Sequence, residues 1–156
     1  MTDRTSIPRY PQWDAVETLA FDWGYIKWVV SPEVSPAVGA TVGTVIMLPG
    51  RGHERHNHPE SDEVLYVISG TGEQMVEDEN GVPIVKQVTT GDVMYIPRGV
   101  YHSTVNTGWD PMRVLAVYTP SGAEAGLRAV PDFRSVPAGV LPELAVLGGD
   151  GPDGGR

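Results

Sequence analysis

The amino-acid sequence predicts an all-β protein, built as a sandwich or a barrel. Six short stretches rich in Val, Ile and Tyr have the length of β-strands, and Gly, Pro, Asp or Asn bounds each of them. No helical period persists over a window of about 11 residues in the middle of the chain. Many short strands with regular turn signals are typical of all-β sandwiches and barrels. The predicted strands are 25–30, 41–48, 63–69, 83–88, 92–96 and 112–118.

Turn signals and composition divide the rest of the chain. Asn80-Gly81 lies between apolar flanks and predicts a hairpin. Residues 121–128 predict a short helix or helical turn near the C-terminus, and the Gly-rich end predicts disorder. The predicted organisation is an N-terminal arm at 1–16, a barrel at 17–120, a C-terminal extension at 121–147 and a disordered tail at 148–156.

Composition narrows the functional classes. The chain has 156 residues, of which 40% are apolar, so we expect one globular domain. The absence of cysteine excludes disulfides, thiolate metal ligands and a cysteine nucleophile. The formal net charge of -9 argues against a nucleic-acid partner, because an acidic surface repels phosphate. No secretory signal or membrane-spanning stretch is visible in the sequence, so we expect a cytoplasmic protein with no membrane partner.

A first motif brings two histidines close to a carboxylate. Its defining residues are Gly50, His56, His58, Glu63 and Gly70. On a strand, side chains two residues apart project from the same face, so the two imidazoles can converge on one ion. A turn after the second histidine would then let Glu63 begin the next strand and face the same interior.

A second motif supplies a third histidine from a distant strand. Its defining residues are Gly91, Pro97, Gly99, His102 and Asn106. Pro97 fixes φ and Gly99 permits unusual φ, so this pair predicts a turn just before His102. The sequence suggests no physical role for Asn106.

The four side chains form a donor set suited to one divalent transition metal. Three imidazoles and a carboxylate fit Fe, Mn, Ni or Zn. An ion that accepts six ligands would keep two positions open for a substrate oxygen, water or dioxygen. Zn could instead be closed at four ligands and be structural. The predicted ligands are His56, His58, Glu63 and His102.

The two motifs together resemble the paired signature motifs of the cupin superfamily, and they match at every defining position over 50–106. The resemblance implies a double-stranded β-helix, or jelly-roll barrel, with the metal inside its wider mouth. It implies the four ligands named above and a homodimer. It does not imply one reaction, because the superfamily includes dioxygenases, decarboxylases, isomerases, cyclases and binding proteins.

Three charged or titratable residues near the motifs, Glu54, His53 and Arg98, allow more than one interpretation. Glu54 shares the strand face of His56 by even spacing and is a candidate general base, or it is a surface residue paired with Arg51 or Arg55. Odd spacing places His53 on the opposite face, as a solvated or interface residue. Arg98 could receive an anionic substrate or pair with Asp92.

Strand alternation also predicts the lining of the site. Leu65 and Val67 share the face of Glu63, and Thr104 shares the face of His102, so a largely apolar wall should surround the metal. The same parity places Tyr66 and Tyr101 on the outer face, as packing residues.

The leading functional hypothesis is a metal-dependent enzyme acting on a small oxygen-rich molecule such as an enol, diketone, hydroxy acid or phenol. A dioxygenase-like oxidoreductase is favoured, because Fe, Ni or Mn makes dioxygen chemistry available. One alternative is a redox-neutral isomerase, decarboxylase or polyketide cyclase-like enzyme. The other is a non-enzymatic protein that binds metal or ligand.

Overall fold

The computed structural model describes residues 9–36 and 39–143, which form eleven β-strands and two short 3₁₀ helices. The 3₁₀ helices are Trp13–Ala15 and Ala123–Ala129. The strands are β1 (Thr18–Phe21), β2 (Gly24–Val30), β3 (Thr41–Met47), β4 (Gly52–His56), β5 (Asp62–Ser69), β6 (Thr71–Glu77), β7 (Pro83–Thr89), β8 (Val93–Ile96), β9 (His102–Asn106), β10 (Met112–Thr119) and β11 (Arg134–Val136).

Two antiparallel sheets face each other in a jelly roll. One has the strand order β11-β1-β2-β3-β10-β5-β8, and the other has the order β4-β9-β6-β7. Many neighbours in space are far apart in sequence, as in β3 beside β10 and β4 beside β9. The prediction of an all-β jelly roll with helical turns near the C-terminus is confirmed.

Alternation along each strand builds the core between the sheets. In β5, Leu65 and Val67 are buried while Tyr66 and Ile68 are exposed. In β10, every second residue from Met112 onward is buried. Inward side chains of the two sheets therefore pack against each other, and outward ones cover the surface.

The predicted hairpin at Asn80-Gly81 joins β6 to β7, with Glu77 paired to Pro83. Asp78 closes the turn, since its Oδ1 accepts hydrogen bonds from the backbone N–H groups of Asn80 and Val82 at 2.8 Å each. Gly81 has φ of 76°, a conformation that glycine adopts without steric cost.

Five strands lie outside the six stretches rich in Val, Ile and Tyr: β4 and β9, which carry histidines of the two motifs, and β1, β6 and β11. β6 reads TGEQMVE, and its polar composition hides a strand whose inward positions include Gly72 and Gln74. β1 has four residues and β11 has three, too few to show a period. Tertiary contacts rather than local composition define these strands.

The C-terminal extension closes one side of the sandwich. Leu127 in the second 3₁₀ helix is buried in the main core, and β11 adds to the sheet beside β1. The predicted tail at 148–156 lies outside the described residues, as do 1–8 of the predicted arm. In the described part of the chain, no helix is long and apolar enough to cross a membrane.

Candidate metal centre

The four predicted ligands lie together between the two sheets. Their donor atoms all lie within 4.8 Å of one another. His56 ends β4 and pairs across the sheet with His102, the first residue of β9. Glu63 reaches them from β5 in the facing sheet, and His58 comes from the loop after β4. The cluster is therefore assembled from both layers of the fold.

The route by which His58 enters the site differs from the prediction. β4 ends at His56, so strand alternation does not place the second histidine. The loop holds it instead, because the carbonyl oxygen of His58 accepts hydrogen bonds from the backbone N–H groups of Gly99 and Ser61. The turn of the second motif is thus tied directly to the ligand loop of the first.

Three donor atoms in this cluster are buried without a hydrogen-bond partner among the described residues: Nε2 of His58, Nε2 of His102 and Oε2 of Glu63. The His102 and Glu63 atoms are 2.8 Å apart, and the His58 and Glu63 atoms are 3.5 Å apart. These distances allow ion pairing, but the directional geometry of a hydrogen bond is not met. Buried polar atoms that share one point in this way fit a metal ion between them.

The remaining ring nitrogens orient two of the ligands. Nδ1 of His56 lies 2.6 Å from the carbonyl oxygen of Glu54, and Nδ1 of His102 lies 3.0 Å from that of Val100. A carbonyl oxygen only accepts, so each Nδ1 carries the proton and each Nε2 is free to bind a metal.

The protonation states of the cluster suit metal binding. Burial opposes ionisation of Glu63, but the neighbouring imidazoles of His102 and His58 outweigh burial and lower the pKa of this carboxyl group to about 2. Burial, with His53 and His102 nearby, lowers the pKa of His56 to about 3. At neutral pH the carboxylate is therefore ionised and this imidazole is neutral, the forms that coordinate metals.

His53 is not where odd spacing placed it. A register shift between His53 and His56 interrupts the pairing of β4 with β9 and changes the parity of the strand. The ring centroids of the two histidines are 3.7 Å apart, and Trp23 stacks on the other side of His53 at 5.1 Å. The prediction that His53 faces away is wrong.

The other charged candidates lie toward the surface. The side chain of Glu54 is exposed, although its backbone carbonyl orients His56. Arg98 pairs with Asp62 at 3.2 Å and not with Asp92, whose carboxylate accepts a hydrogen bond from the backbone N–H of Thr89. A catalytic role for Glu54 stays a prediction.

Two residues near the ligands gain roles that the sequence did not suggest. Tyr118 is buried, with its ring 4.7 Å from that of His58, and burial raises its pKa well above the usual range. Asn106 is fully buried; its Nδ2 donates to the carbonyl oxygens of Met47 and Asp110, and its Oδ1 accepts from the N–H of Gly108. Inward alternation along β10 could have identified Tyr118, but the bond from Asn106 to Met47 depends on backbone that is distant in sequence.

The predicted inward and outward orientations are confirmed on both sheets. Leu65, Val67 and Thr104 are buried, while Tyr66 and Tyr101 are exposed. Thr104 donates a hydrogen bond of 2.6 Å to the amide oxygen of Gln74 on the neighbouring strand.

A cavity of about 870 Å³ opens beside the cluster and reaches His56 and His53. Its walls include Trp23, Leu127 and Val130. Its volume is within the range of small-molecule sites, and it lies between an edge of the four-stranded sheet and the C-terminal extension. Of the four ligands, His56 is the one that this cavity reaches.

Comparison with known proteins assigns the family. Residues 43–118, which include all four side chains of the cluster, match the model described as "Cupin domain". These residues form a cupin domain. Auxin-binding protein ABP19a of Prunus persica is 32% identical over 114 residues, 69% of this chain and 53% of that protein.

Shorter relatives and solved structures agree on the fold. Protein SchB of Streptomyces halstedii is 29% identical over 85 residues, 54% of this chain and 58% of that protein. Oxalate decarboxylase of Bacillus subtilis has a TM-score of 0.64 at 24% identity, covering 70% of this chain and 28% of that one. The Lactobacillus farciminis oxalate decarboxylase formate complex has a TM-score of 0.62 at 27% identity, covering 67% and 31%. The cupin domain thus corresponds to only part of each of these proteins.

Proposed function

We propose that this protein is a metal-dependent enzyme that acts on a small, oxygen-rich organic molecule, with His56, His58, Glu63 and His102 as the metal ligands. The observation that carries the proposal is the set of buried, unpartnered donor atoms on His58, Glu63 and His102. When bound there, a transition metal supplies Lewis-acid polarisation of a substrate oxygen. The similarity to oxalate decarboxylases supports the same class.

The cavity gives the substrate a place beside the ligands. Arg51 lines it and forms no ion pair with another described residue, whereas Arg55 is held by Glu77 at 2.6 Å. An exposed guanidinium without a partner suits a carboxylate, enolate or phenolate group on the substrate. Leu127 and Val130 form apolar walls against which the rest of the substrate can pack.

Within this class we favour a dioxygenase-like oxidoreductase, because the donor set suits Fe, Mn and Ni, which support dioxygen chemistry. A redox-neutral isomerase, decarboxylase or cyclase-like reaction is the second candidate, supported by the similarity to oxalate decarboxylases. The open cavity favours either enzyme over a structural zinc site, which would be closed at four protein ligands.

An oxygen electrode with a panel of enols, diketones, hydroxy acids and phenols separates these reactions. We expect oxygen uptake that matches substrate loss in metal-loaded protein and is absent in His102→Ala. Substrate loss without oxygen uptake would establish the redox-neutral alternative. No turnover by fully loaded protein across the panel would leave a non-enzymatic binding protein.

We also propose a homodimer formed through the outer face of the seven-stranded sheet. Tyr66 and Val93 are cross-strand partners there, and Ile68 and Tyr95 extend the same face. Their exposed fractions lie between 38% and 64%, which leaves a contiguous apolar surface.

The cytoplasmic location stays a prediction, which cell fractionation would check.

A further inference from the structure

A row of stacked rings leads from the hydrophobic core to the candidate ligand His56. Phe21 and Trp23 stack at 5.0 Å with an interplanar angle of 6°. Trp23 and His53 stack at 5.1 Å with an angle of 21°. His53 then lies against His56 at 3.7 Å with an angle of 33°. The imidazole of His53 is thus enclosed between an indole and the ring of the ligand.

The inner end of this row is fixed. Phe21 is only 2% exposed and belongs to the main core. The backbone of Trp23 is held by a hydrogen bond of 3.0 Å from the N–H of Leu48 to its carbonyl oxygen. His53 is therefore pressed toward the ligand from a rigid support.

The other end of the row is His56, a ligand at the end of an edge strand. β4 is an edge strand, and its pairing with β9 is interrupted by the register shift before His56. His56 is half-buried, in contrast to Glu63 and His102, which are 4% and 1% exposed. The hydrogen bond to the Glu54 carbonyl fixes one atom of the ring but leaves rotation about that contact. Contacts of the His56 ring with the rings of His53 at 3.7 Å and His102 at 4.2 Å restrict this rotation, and the contact with His53 is the closer one.

We propose that His53, backed by Trp23, is a positioning residue that holds the ring of His56 in the orientation needed for metal binding. The inference rests on the proposed metal site. His53 lies outside the group of donor atoms that are mutually within 4.8 Å, so it acts on the metal through the ligand that it touches. Its role is carried by the ring face, not by a nitrogen.

Two substitutions separate the ring from its nitrogens. His53→Phe keeps a flat ring between Trp23 and His56, whereas His53→Ala removes it. With Mn²⁺ as the probe and a competing chelator, we expect His53→Ala to bind about 10- to 100-fold more weakly than the unsubstituted protein, the loss typical of groups that orient metal ligands. We expect His53→Phe to bind with nearly the original affinity. The Mn²⁺ electron paramagnetic resonance spectrum should broaden in the alanine variant only.

The controls distinguish the possible failures. Trp109 is 97% exposed, so Trp109→Ala removes an aromatic ring without touching the site and should leave the affinity unchanged. Metal-free melting temperatures show whether each variant is folded, and His53→Ser repeats the test if the alanine variant is not.

Equal Mn²⁺ affinity in the alanine and unsubstituted proteins would overturn the inference while leaving the metal site intact. An equally large loss in the phenylalanine variant would also overturn it, since a nitrogen of His53 would then be required. If the unsubstituted protein binds no metal, the proposed function fails and this inference fails with it.

Discussion

At the scale of single residues, the candidate centre is a place where polar atoms are buried without partners. Leaving one buried donor or acceptor unpaired costs about 1–3 kcal/mol, and His58, Glu63 and His102 each carry such an atom. Hydrogen bonds from Nδ1 of His56 and His102 to backbone carbonyls fix two of the rings around that point. This arrangement is unfavourable in the metal-free protein and becomes favourable when a cation is bound.

Asn106 is the residue whose contribution to stability should be largest for its size. Its amide forms three hydrogen bonds to backbone groups, tying the end of β9 to β3 and to the following loop. We expect Asn106→Ala to lower the free energy of unfolding by about 2–4 kcal/mol, because buried backbone groups lose their partners. Urea unfolding measures this.

Asn80→Ala is the matched control, since Asn80 is an exposed residue of the hairpin turn. We expect a change of less than about 1 kcal/mol there. Similar small changes in both variants would show that the Asn106 bonds are not stabilising.

The residues of the candidate site could be predicted from the sequence where their spacing alone determines which side chains come together. The motifs predicted that His56, His58, Glu63 and His102 would come together, and they do. Spacing predicted the wrong strand face for His53, because one register shift in β4 reverses the face of the residues before it. The hydrogen bond from Asn106 to Met47 joins residues 59 positions apart, so no local pattern could reveal it.

At the scale of elements, the second 3₁₀ helix attaches the C-terminal extension to the barrel. Leu127 is its buried anchor, 7% exposed, and it also lines the cavity beside the metal cluster. We expect Leu127→Ala to lower the free energy of unfolding by about 2–4 kcal/mol through lost burial and a new cavity. Leu141→Ala is the matched control, because Leu141 is 88% exposed. We expect it to change the free energy of unfolding by no more than about 0.5 kcal/mol. Equal effects at the two positions would contradict the anchoring role.

A charged contact links this helix to the residue before β1, which in turn contacts β11. Arg128 pairs with Glu17, whose carboxylate also accepts a hydrogen bond from Ser135 at 2.6 Å. The hydrogen bond from Arg128 lowers the pKa of Glu17, with burial acting in the opposite direction. A carboxyl group with a depressed pKa stabilises the fold above its unfolded pKa, near 4.5, and loses that contribution as the pH falls through its folded pKa.

Glu17→Gln should therefore be less stable than the unsubstituted protein at neutral pH, and the difference should shrink below pH 4.5. Thermal melts between neutral and acidic pH measure it. Glu79→Gln, in the exposed hairpin turn, controls for the removal of a charge. A difference that stays constant with pH would show that ionisation of Glu17 is not involved.

Elements rich in Val, Ile and Tyr were predictable from the sequence, whereas β6 and β11 were not. β6 is stabilised by pairing with β7 on one side and β9 on the other, so its polar sequence does not have to favour a strand by itself. β11 exists because it pairs with β1 over three residues. Pairing between distant segments is the information that a local reading of the sequence lacks.

At the scale of the whole molecule, the two sheets perform different tasks. Their inner faces meet around the metal cluster, while the outer face of the seven-stranded sheet leaves Tyr66, Val93 and Tyr95 exposed. The family, and with it the jelly roll, was predictable from two motifs that cover 50–106. The substrate was not, because the cavity walls include Trp23, Leu127 and Val130, which lie outside both motifs.

The proposed dimer predicts a change in molar mass when this outer face is charged. We expect Val93→Glu combined with Tyr95→Glu to convert a dimer into a monomer, since burying two carboxylates in an apolar interface is unfavourable. Light scattering after size exclusion measures the mass. Val82→Glu, 55% exposed in the hairpin, is the control and should remain dimeric. A monomeric unsubstituted protein, or a double variant that remains dimeric, would contradict the proposal.

The metal content of the purified protein tests the central claim most directly. After reconstitution and removal of unbound ions, we expect about one equivalent of Fe, Mn, Ni or Zn per chain. We expect much lower metal content in Glu63→Gln, because this substitution removes the buried charge while preserving the side-chain shape. Glu79→Gln should retain full occupancy, because that carboxylate is exposed and distant in sequence from the cluster. Less than about a tenth of an equivalent of any transition metal, before and after reconstitution, would contradict the account.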